Sequence, residues 1–264
     1  MNVIVCVKHV PQSMKFDPVT KSILREQVDS EINPFDLFAI EETIRLHERT
    51  GAATIAVCMG VTGAEQSLRK AIAMGIGHAI LLTDKRFAGS DTYVTSSILS
   101  AGIKSIGDFG LIICGKQSTD GDTAQVGVQI AQKLGLPFIT NVVQIDKLTD
   151  NFILCKRLVE YGYELVESTI PALITVCKGI NEPRIPTIKN LIRAETANIT
   201  KWSIDNMNLT ADECGSKGSP TRVLKTYTPD VPSYNCKEIV GSISHQVDCL
   251  IELFRSAKDT EESV

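Results

Sequence analysis

Residues 115–127 run GKQSTDGDTAQVG, a stretch of almost uninterrupted small and polar side chains. Gly115 and Gly121 allow unusual backbone angles and close approach to a ligand. Ser118, Thr119, Asp122 and Thr123 are of the types that cap a helix or hydrogen-bond a ligand. A strand-like run, LIIC at 111–114, precedes them, and a helix-period segment at 123–134 follows. The free N–H groups at such a helix start suit a phosphate. Asp120 and Asp122 would repel a phosphate if aimed at it, so both are expected to bond backbone or ribose hydroxyls. Composition alone fits a capped strand-to-helix loop with no ligand equally well. The stretch is neither a G-x-x-x-x-G-K-[ST] loop nor a G-x-G-x-x-G turn, which removes the main support for a common NTPase or a standard dehydrogenase.

Other reactive side chains are scattered. Lys8 and His9 follow the first apolar run; such residues usually pair with a local acid, although a buried cation there can also stabilise a reduced, anionic cofactor. His47 and Glu48 read as a solvated helix face, and His78 and His245 are isolated, so a metal role has no support. The eight cysteines (Cys6, Cys58, Cys114, Cys155, Cys177, Cys214, Cys236 and Cys249) contain no C-x-x-C pair. Zinc and iron–sulfur sites therefore lack their usual spacing. Dispersed thiols read as small buried hydrophobes in a reducing compartment. No Ser–His–Asp arrangement can be inferred from order alone.

The elements that must hold these residues alternate regularly. Strand-like runs at 3–7, 54–58, 79–82 and 111–114 are separated by helix-period segments at 33–50, 62–74 and 91–105, with another at 123–134. Asn33, Pro34 and Gly51 suit the cap, first turn and end of the first helix. Buried strands between helices predict an α/β protein, Rossmann-like, with a mostly parallel sheet flanked on both faces. In such sheets ligands lie outside the carboxyl ends of the strands. That rule gathers Lys8 and His9, Cys58 to Gly60 and the 115–127 loop around one crevice, with Asn33, Pro34, Phe35 and Asp36 at its rim. Beyond residue 140, runs at 152–158 and 164–168 read as a hairpin extension, and PALITVC at 171–177 as a further buried strand. Residues 203–235 read as an irregular C-terminal arm. A helix is expected at 239–254, with frayed residues after it. The expected division is 1–200 for the nucleotide-binding body and 201–264 for an arm and terminal helix, with Trp202 packing where the arm begins.

With 264 residues, 43% of them hydrophobic, the chain can bury one substantial core and an appendage. A net charge of −4 and 5% aromatics give no support for nucleic-acid binding. No apolar run approaches the ~20 residues of a membrane span. The opening MNVIVCVKHV is too short an apolar run for a secretory signal, so a cytoplasmic protein is expected.

KQSTDGDTAQVG closely resembles the nucleotide-binding loop of electron-transfer flavoprotein small (beta) subunits. The likeness extends to VCVKHVP, to the NPFD helix start, to AMGIGHAILL, to KRLVEYGYELVESTIPALIT and to INEPRIPTIKNLIRA, in the family's order. It implies an adenine nucleotide held by Cys6, by Asn33 to Asp36, by Cys58, and by Gln117, Ser118, Thr119, Asp120, Gly121, Asp122, Thr123, Ala124, Gln125, Val126 and Gly127. It also implies a heterodimer with a large subunit. In one version of the family the small subunit keeps AMP; in the other it binds a second FAD. That FAD takes a hydride from NADH and sends one electron to ferredoxin and the other, through the large-subunit FAD, to a partner dehydrogenase of acyl-CoA, enoyl-CoA or lactate type. DGDTAQVG resembles the bifurcating, anaerobe-associated version, although Val128 replaces a common proline. Residues 183–194 resemble the recognition loop that docks on the dehydrogenase, with Ile188 as the apolar anchor and Lys189 and Arg193 as basic neighbours. Tyr161 and Tyr163 depart from the pattern and read as exposed strand tyrosines. The reading from another class is a non-redox nucleotide-binding sensor or scaffold sharing only the core.

Overall fold

The computed structural model describes residues 2–12, 30–224 and 238–261, with residues 256–261 described by their backbone alone. The chain opens with β1 (Asn2–Cys6), then a small antiparallel pair, β2 (His9–Pro11) and β3 (Ser30–Ile32). Next come α1 (Pro34–Thr50), β4 (Ala53–Met59), α2 (Glu65–Met74), β5 (His78–Leu82), α3 (Thr92–Ile106), β6 (Phe109–Gly115) and α4 (Val126–Leu134). Then follow β7 (Phe138–Leu148), β8 (Phe152–Val159), β9 (Gly162–Thr169), β10 (Ala172–Val176), α5 (Ile188–Thr196), β11 (Thr200–Trp202), the single turn α6 (Gly215–Gly218) and α7 (Ile243–Glu261).

Among the described residues the main sheet has nine strands, in the order β11-β5-β4-β1-β6-β10-β7-β8-β9. From β11 to β7 every pairing is parallel; β8 and β9 add an antiparallel hairpin. Parallel strands must be covered on both faces, and side chains alternate between them. Val3, Val5, Cys58 and Ile113 accordingly pack in one core with α1 and α2. Ile4, Cys6, Val57, Ile112 and Cys114 pack in the other, with α3 and α4. The chain leaves β1 to one side through β4 and β5, then returns to β6 on the other. Such a reversal of strand order opens a crevice at the carboxyl ends of the two central strands.

Local chemistry explains the helix limits. Pro34 occupies the first turn of α1, and Gly51 ends it with φ 73° and its N–H on the His47 carbonyl. Asp91 caps α3 by accepting from Val94 N–H at 3.0 Å.

Several features depart from the sequence expectation. β7 was missed because Asn141 sits at φ 58° and its pairings are interrupted by register shifts, so polar and apolar residues do not alternate cleanly. α4 begins at Val126 rather than residue 123, because Asp122 (φ 52°) and Ala124 (φ 54°) leave helical geometry. The stretch read as loop after residue 183 contains α5, capped by Thr187, which accepts from Asn190 N–H. The compact first unit extends to Lys225 rather than ending near residue 200. Ile204, Met207 and Cys214 are buried against the α3–α4 core, so residues 203–224 belong to the body. Trp202 also packs there, at the end of β11.

The second unit is Thr226–Val264, and its described part is dominated by α7. That helix runs to Glu261, so residues 256–261, expected to fray, are helical. Cys236 and residues 225–235 of the expected arm lie outside the described residues.

Candidate functional site

The crevice is built where β1, α1 and β6 end or begin together. Asn33, expected to cap α1, makes no side-chain cap; its side chain turns to the 115–127 loop instead. Its Nδ2 donates to the Gln117 carbonyl at 2.8 Å, and its Oδ1 accepts from Thr119 N–H at 3.2 Å. Its own N–H donates to the Lys8 carbonyl at 2.9 Å. One buried amide thus ties the root of α1 to β1 on one side and to the loop on the other.

Asp36 makes a second tie. Its Oδ2 accepts from Lys8 N–H at 2.7 Å. Its carboxylate also accepts from Gly115 N–H. Burial pushes its pKa up to about 7, against the opposing pull of these donors and of the Lys8 charge. The close fit explains Gly115: a Cβ there would overlap the Asp36 carboxylate and the Phe35 backbone. Gly127 works the same way at the far end of the loop, where a Cβ would come 2.9 Å from Thr175 Cγ2.

Between these glycines the loop is knitted by its own side chains. Lys8 Nζ lies 2.5 Å from Asp120 Oδ1 and donates to Ser118 Oγ at 3.1 Å. Gln117 Nε2 donates to Asp122 Oδ1, and Asp122 N–H donates to the Ser118 carbonyl at 2.8 Å. Both acids therefore engage side chains, Lys8 and Gln117, where backbone or ribose partners were expected. Lys8 takes the local acid, and His9 Nδ1 lies 2.8 Å from Ser67 Oγ. Ser118, Thr119, Asp122 and Thr123 do not cap α4, whose start has no side-chain cap at all. Its first-turn N–H groups remain available beside the exposed residues Gly121 to Gln125. This donor set suits an anionic group such as a nucleotide phosphate.

Three thiols lie under the crevice. Cys6 and Cys114, on adjacent strands, are hydrogen-bonded to one another, and this contact with burial raises the Cys114 thiol. Cys58 is fully buried, which pushes its pKa up to about 12. It forms the floor one strand away. Pro34 is exposed at the rim and Phe35 is half-buried. Among the described residues no cluster of three or more His, Cys, Asp or Glu is arranged to hold a metal ion. No described helix is long and apolar enough to cross a membrane.

Residues 20–207 match the Electron transfer flavoprotein domain. "Electron transfer flavoprotein subunit beta" of Thermoanaerobacterium thermosaccharolyticum is 42% identical over 97% of this chain and 98% of its own. Caffeyl-CoA reductase-Etf complex subunit CarD of Acetobacterium woodii is 40% identical over 92% and 96%. Protein FixA of Azorhizobium caulinodans is 37% identical over 100% and 98%. The chain belongs to the electron transfer flavoprotein family.

The 183–194 segment forms a second surface. Ile188 opens α5 and is 78% exposed, with Ile185 before it 90% exposed. Leu191 and Ile192 are exposed on the same short helix. Lys189 is exposed beside them. Arg193 is directed elsewhere: its guanidinium donates to the Ile72 and Ile76 carbonyls at 3.1 and 2.7 Å and ties α5 to the end of α2. Helical spacing at 188–192 was the available signal for the wider apolar patch.

Arg184 was not anticipated. It donates to Glu41 and Glu48 on α1, so Glu48 is paired rather than merely solvated. Asn181 adds bonds to the Phe38 carbonyl and to Glu42 Oε2, both at 3.0 Å. His47 Nδ1 lies 2.7 Å from the Ala52 carbonyl. Tyr161 sits in the turn between β8 and β9, fully exposed, and Tyr163 lies under Lys156 Nζ at 4.4 Å from its ring centre.

Proposed function

We propose that this chain is the small subunit of a bifurcating electron transfer flavoprotein, working as a heterodimer with a large subunit in the cytoplasm. The crevice holds the adenylate portion of an FAD. The observation that carries this reading is the convergence of the β1, α1 and β6 termini on one loop, fastened by Asn33, Asp36 and Lys8 and bordered by uncapped N–H groups of α4. When bound, the flavin supplies acceptance of a hydride from NADH and division of its two electrons between ferredoxin and the large-subunit FAD. The chain's own residues bind and orient. Backbone N–H groups of the Gln117 to Gly127 stretch take the phosphate charge, Cys6 and Cys58 form the floor, and Asn33 to Asp36 fix the rim.

The second electron leaves for a flavin-linked dehydrogenase of acyl-CoA, enoyl-CoA or lactate type. A partner of acyl-CoA type is supported by the relative named as part of a caffeyl-CoA reductase complex. The docking surface is the apolar patch of Ile185, Ile188 and Ile192, flanked by Lys189; exposed aliphatic anchors of this kind seat in apolar pockets. Arg193 supports the patch from behind.

Cofactor extraction from the purified heterodimer tests the reading. Two FAD per heterodimer is the expected result. One FAD with one AMP would make the chain a conventional subunit with a structural nucleotide. Absence of flavin and of a large partner would leave a non-redox nucleotide-binding scaffold.

A further inference from the structure

The charge of Lys8 is already spent before any ligand arrives. Its ammonium lies 2.5 Å from Asp120 Oδ1 and 3.1 Å from Ser118 Oγ. The Asp120 side chain is only 5% exposed, whereas that of Lys8 is 43% exposed. The pair spans the reversal point of the sheet, from the end of β1 to the loop after β6. Lys8 Nζ is also 3.9 Å from a Cβ built on Gly121, which sets it alongside the stretch assigned to the phosphate. A lysine in such a position ordinarily serves as a point counter-charge for phosphate. Here a nearly buried carboxylate occupies it.

We propose that Asp120 is a specificity-determining residue: by neutralising Lys8 it tunes the crevice to adenylates of low charge and disfavours nucleoside triphosphates. The proposal rests on the nucleotide reading given above. With the Lys8–Asp120 pair contributing no net charge, binding relies on neutral N–H donors, whose attraction grows only weakly with added phosphates. Replacing Asp120 by Asn would free the ammonium, and each further ligand charge would then gain attraction. Replacing Lys8 by Met would remove one positive charge beside Asp120, and each further ligand charge would then gain less attraction than in the wild type. Lys116, at the root of the same loop, is unchanged in both variants and cancels from the comparison. The two substitutions therefore move selectivity in opposite directions, whereas simple loosening of the loop would weaken all adenylates together.

The test is calorimetric titration of the nucleotide-stripped heterodimer with AMP, ADP and ATP, for wild type, D120N, K8M and K8R. The ATP-to-AMP affinity ratio should rise about fivefold in D120N and fall about fivefold in K8M at low salt, with both changes shrinking as salt screens the charges. K8R should keep the wild-type ratio. Unchanged ratios in D120N and K8M, with wild-type binding intact, overturn the charge assignment and leave the nucleotide site standing. A wild-type heterodimer that takes up no adenylate overturns both. Should D120N fail to fold, a lowered ratio in K8M and a wild-type ratio in K8R carry the comparison, and equal ratios in the two overturn it.

Discussion

Arg184 grips Glu41 with two parallel hydrogen bonds, Nε to Oε2 at 2.9 Å and Nη2 to Oε1 at 3.0 Å, and so fastens the segment before α5 to the middle of α1. The same guanidinium reaches Glu48 one turn pair further along, at 2.6 Å. Asn33 immediately precedes helix α1 and Asp36 lies in its first turn, in the crevice wall. One rigid element thus carries both the rim of the proposed nucleotide site and the anchor of the proposed docking surface.

Replacing Arg184 by Met should destabilise the protein. The Glu41 side chain is only 4% exposed and would keep Arg45, at 3.1 Å, and the backbone N–H of residue 184, also at 3.1 Å, but lose the guanidinium. Leaving a carboxylate half-compensated in that position costs about 1–3 kcal/mol. Burial alone would raise Glu41, but the hydrogen bonds from Arg184 and Arg45 outweigh it and hold the carboxyl below its ordinary range. A depressed folded-state pKa contributes stability above the unfolded value and loses it as pH falls. The difference between wild type and R184M in urea denaturation should therefore be full at pH 7 and shrink below about pH 4.5. A difference that stays constant down to pH 3 would refute the ion-pair account.

Asn33→Ala should release the loop. It removes the donor to Gln117 and the acceptor for Thr119 from a nearly fully buried site. Two lost bonds of this kind cost about 1–3 kcal/mol. Asn33→Asp should be no milder, because it sets a carboxylate oxygen against the Gln117 carbonyl. Adenine nucleotide retained per heterodimer after gel filtration is the readout. Full retention in both variants would show that the loop does not depend on this amide.

The glycines of the loop should behave differently from one another. Gly115→Ala drives a Cβ into Asp36 and Phe35, and overpacking of this sort costs about 1–3 kcal/mol, so the melting temperature should drop. At Gly121 a Cβ would meet only Ser118 Oγ at 3.6 Å and Lys8 Nζ at 3.9 Å, ordinary contacts. Gly121→Val should melt near wild type yet lose its adenylate, because the side chain projects where the ligand would lie. A G121V heterodimer with full nucleotide content would move the site away from this loop.

Much of this organisation was legible in the sequence. Runs such as VIVC and LIIC advertise themselves because a parallel strand buried on both faces has no room for polar residues. The strand-end rule gathers Lys8, Cys58, Asn33, Asp36 and the loop from the sequence alone. The ties that make these residues a site were not legible. Lys8 and Asp120 lie 112 positions apart, and Arg184 and Glu41 lie 143 apart. No local pattern marks either pair. β7 was hidden by its irregular register, and α5 by the prolines before it, Pro183 and Pro186, which read as loop although a helix can start after them.

Asp36 gives the site a pH signature of unusual sign. Most carboxylates in folded proteins are stabilised as anions; this one is raised to about 7, chiefly by burial, with the donors Lys8, Asn33 and Gly115 only partly offsetting it. A folded state with the higher pKa keeps a proton that the unfolded chain has already released. Stability must then fall as pH climbs from the ordinary carboxyl range near 4 to about 7, and level off above. Asp36→Asn cannot titrate, so its own stability curve should lack this descent, whatever its absolute level after placing an amide against Lys8 N–H. Chemical denaturation of wild type and D36N at half-unit steps between pH 4.5 and 8.5 would isolate the slope. Parallel curves would mean that the carboxylate is already ionised throughout, held by its donors more strongly than burial opposes them.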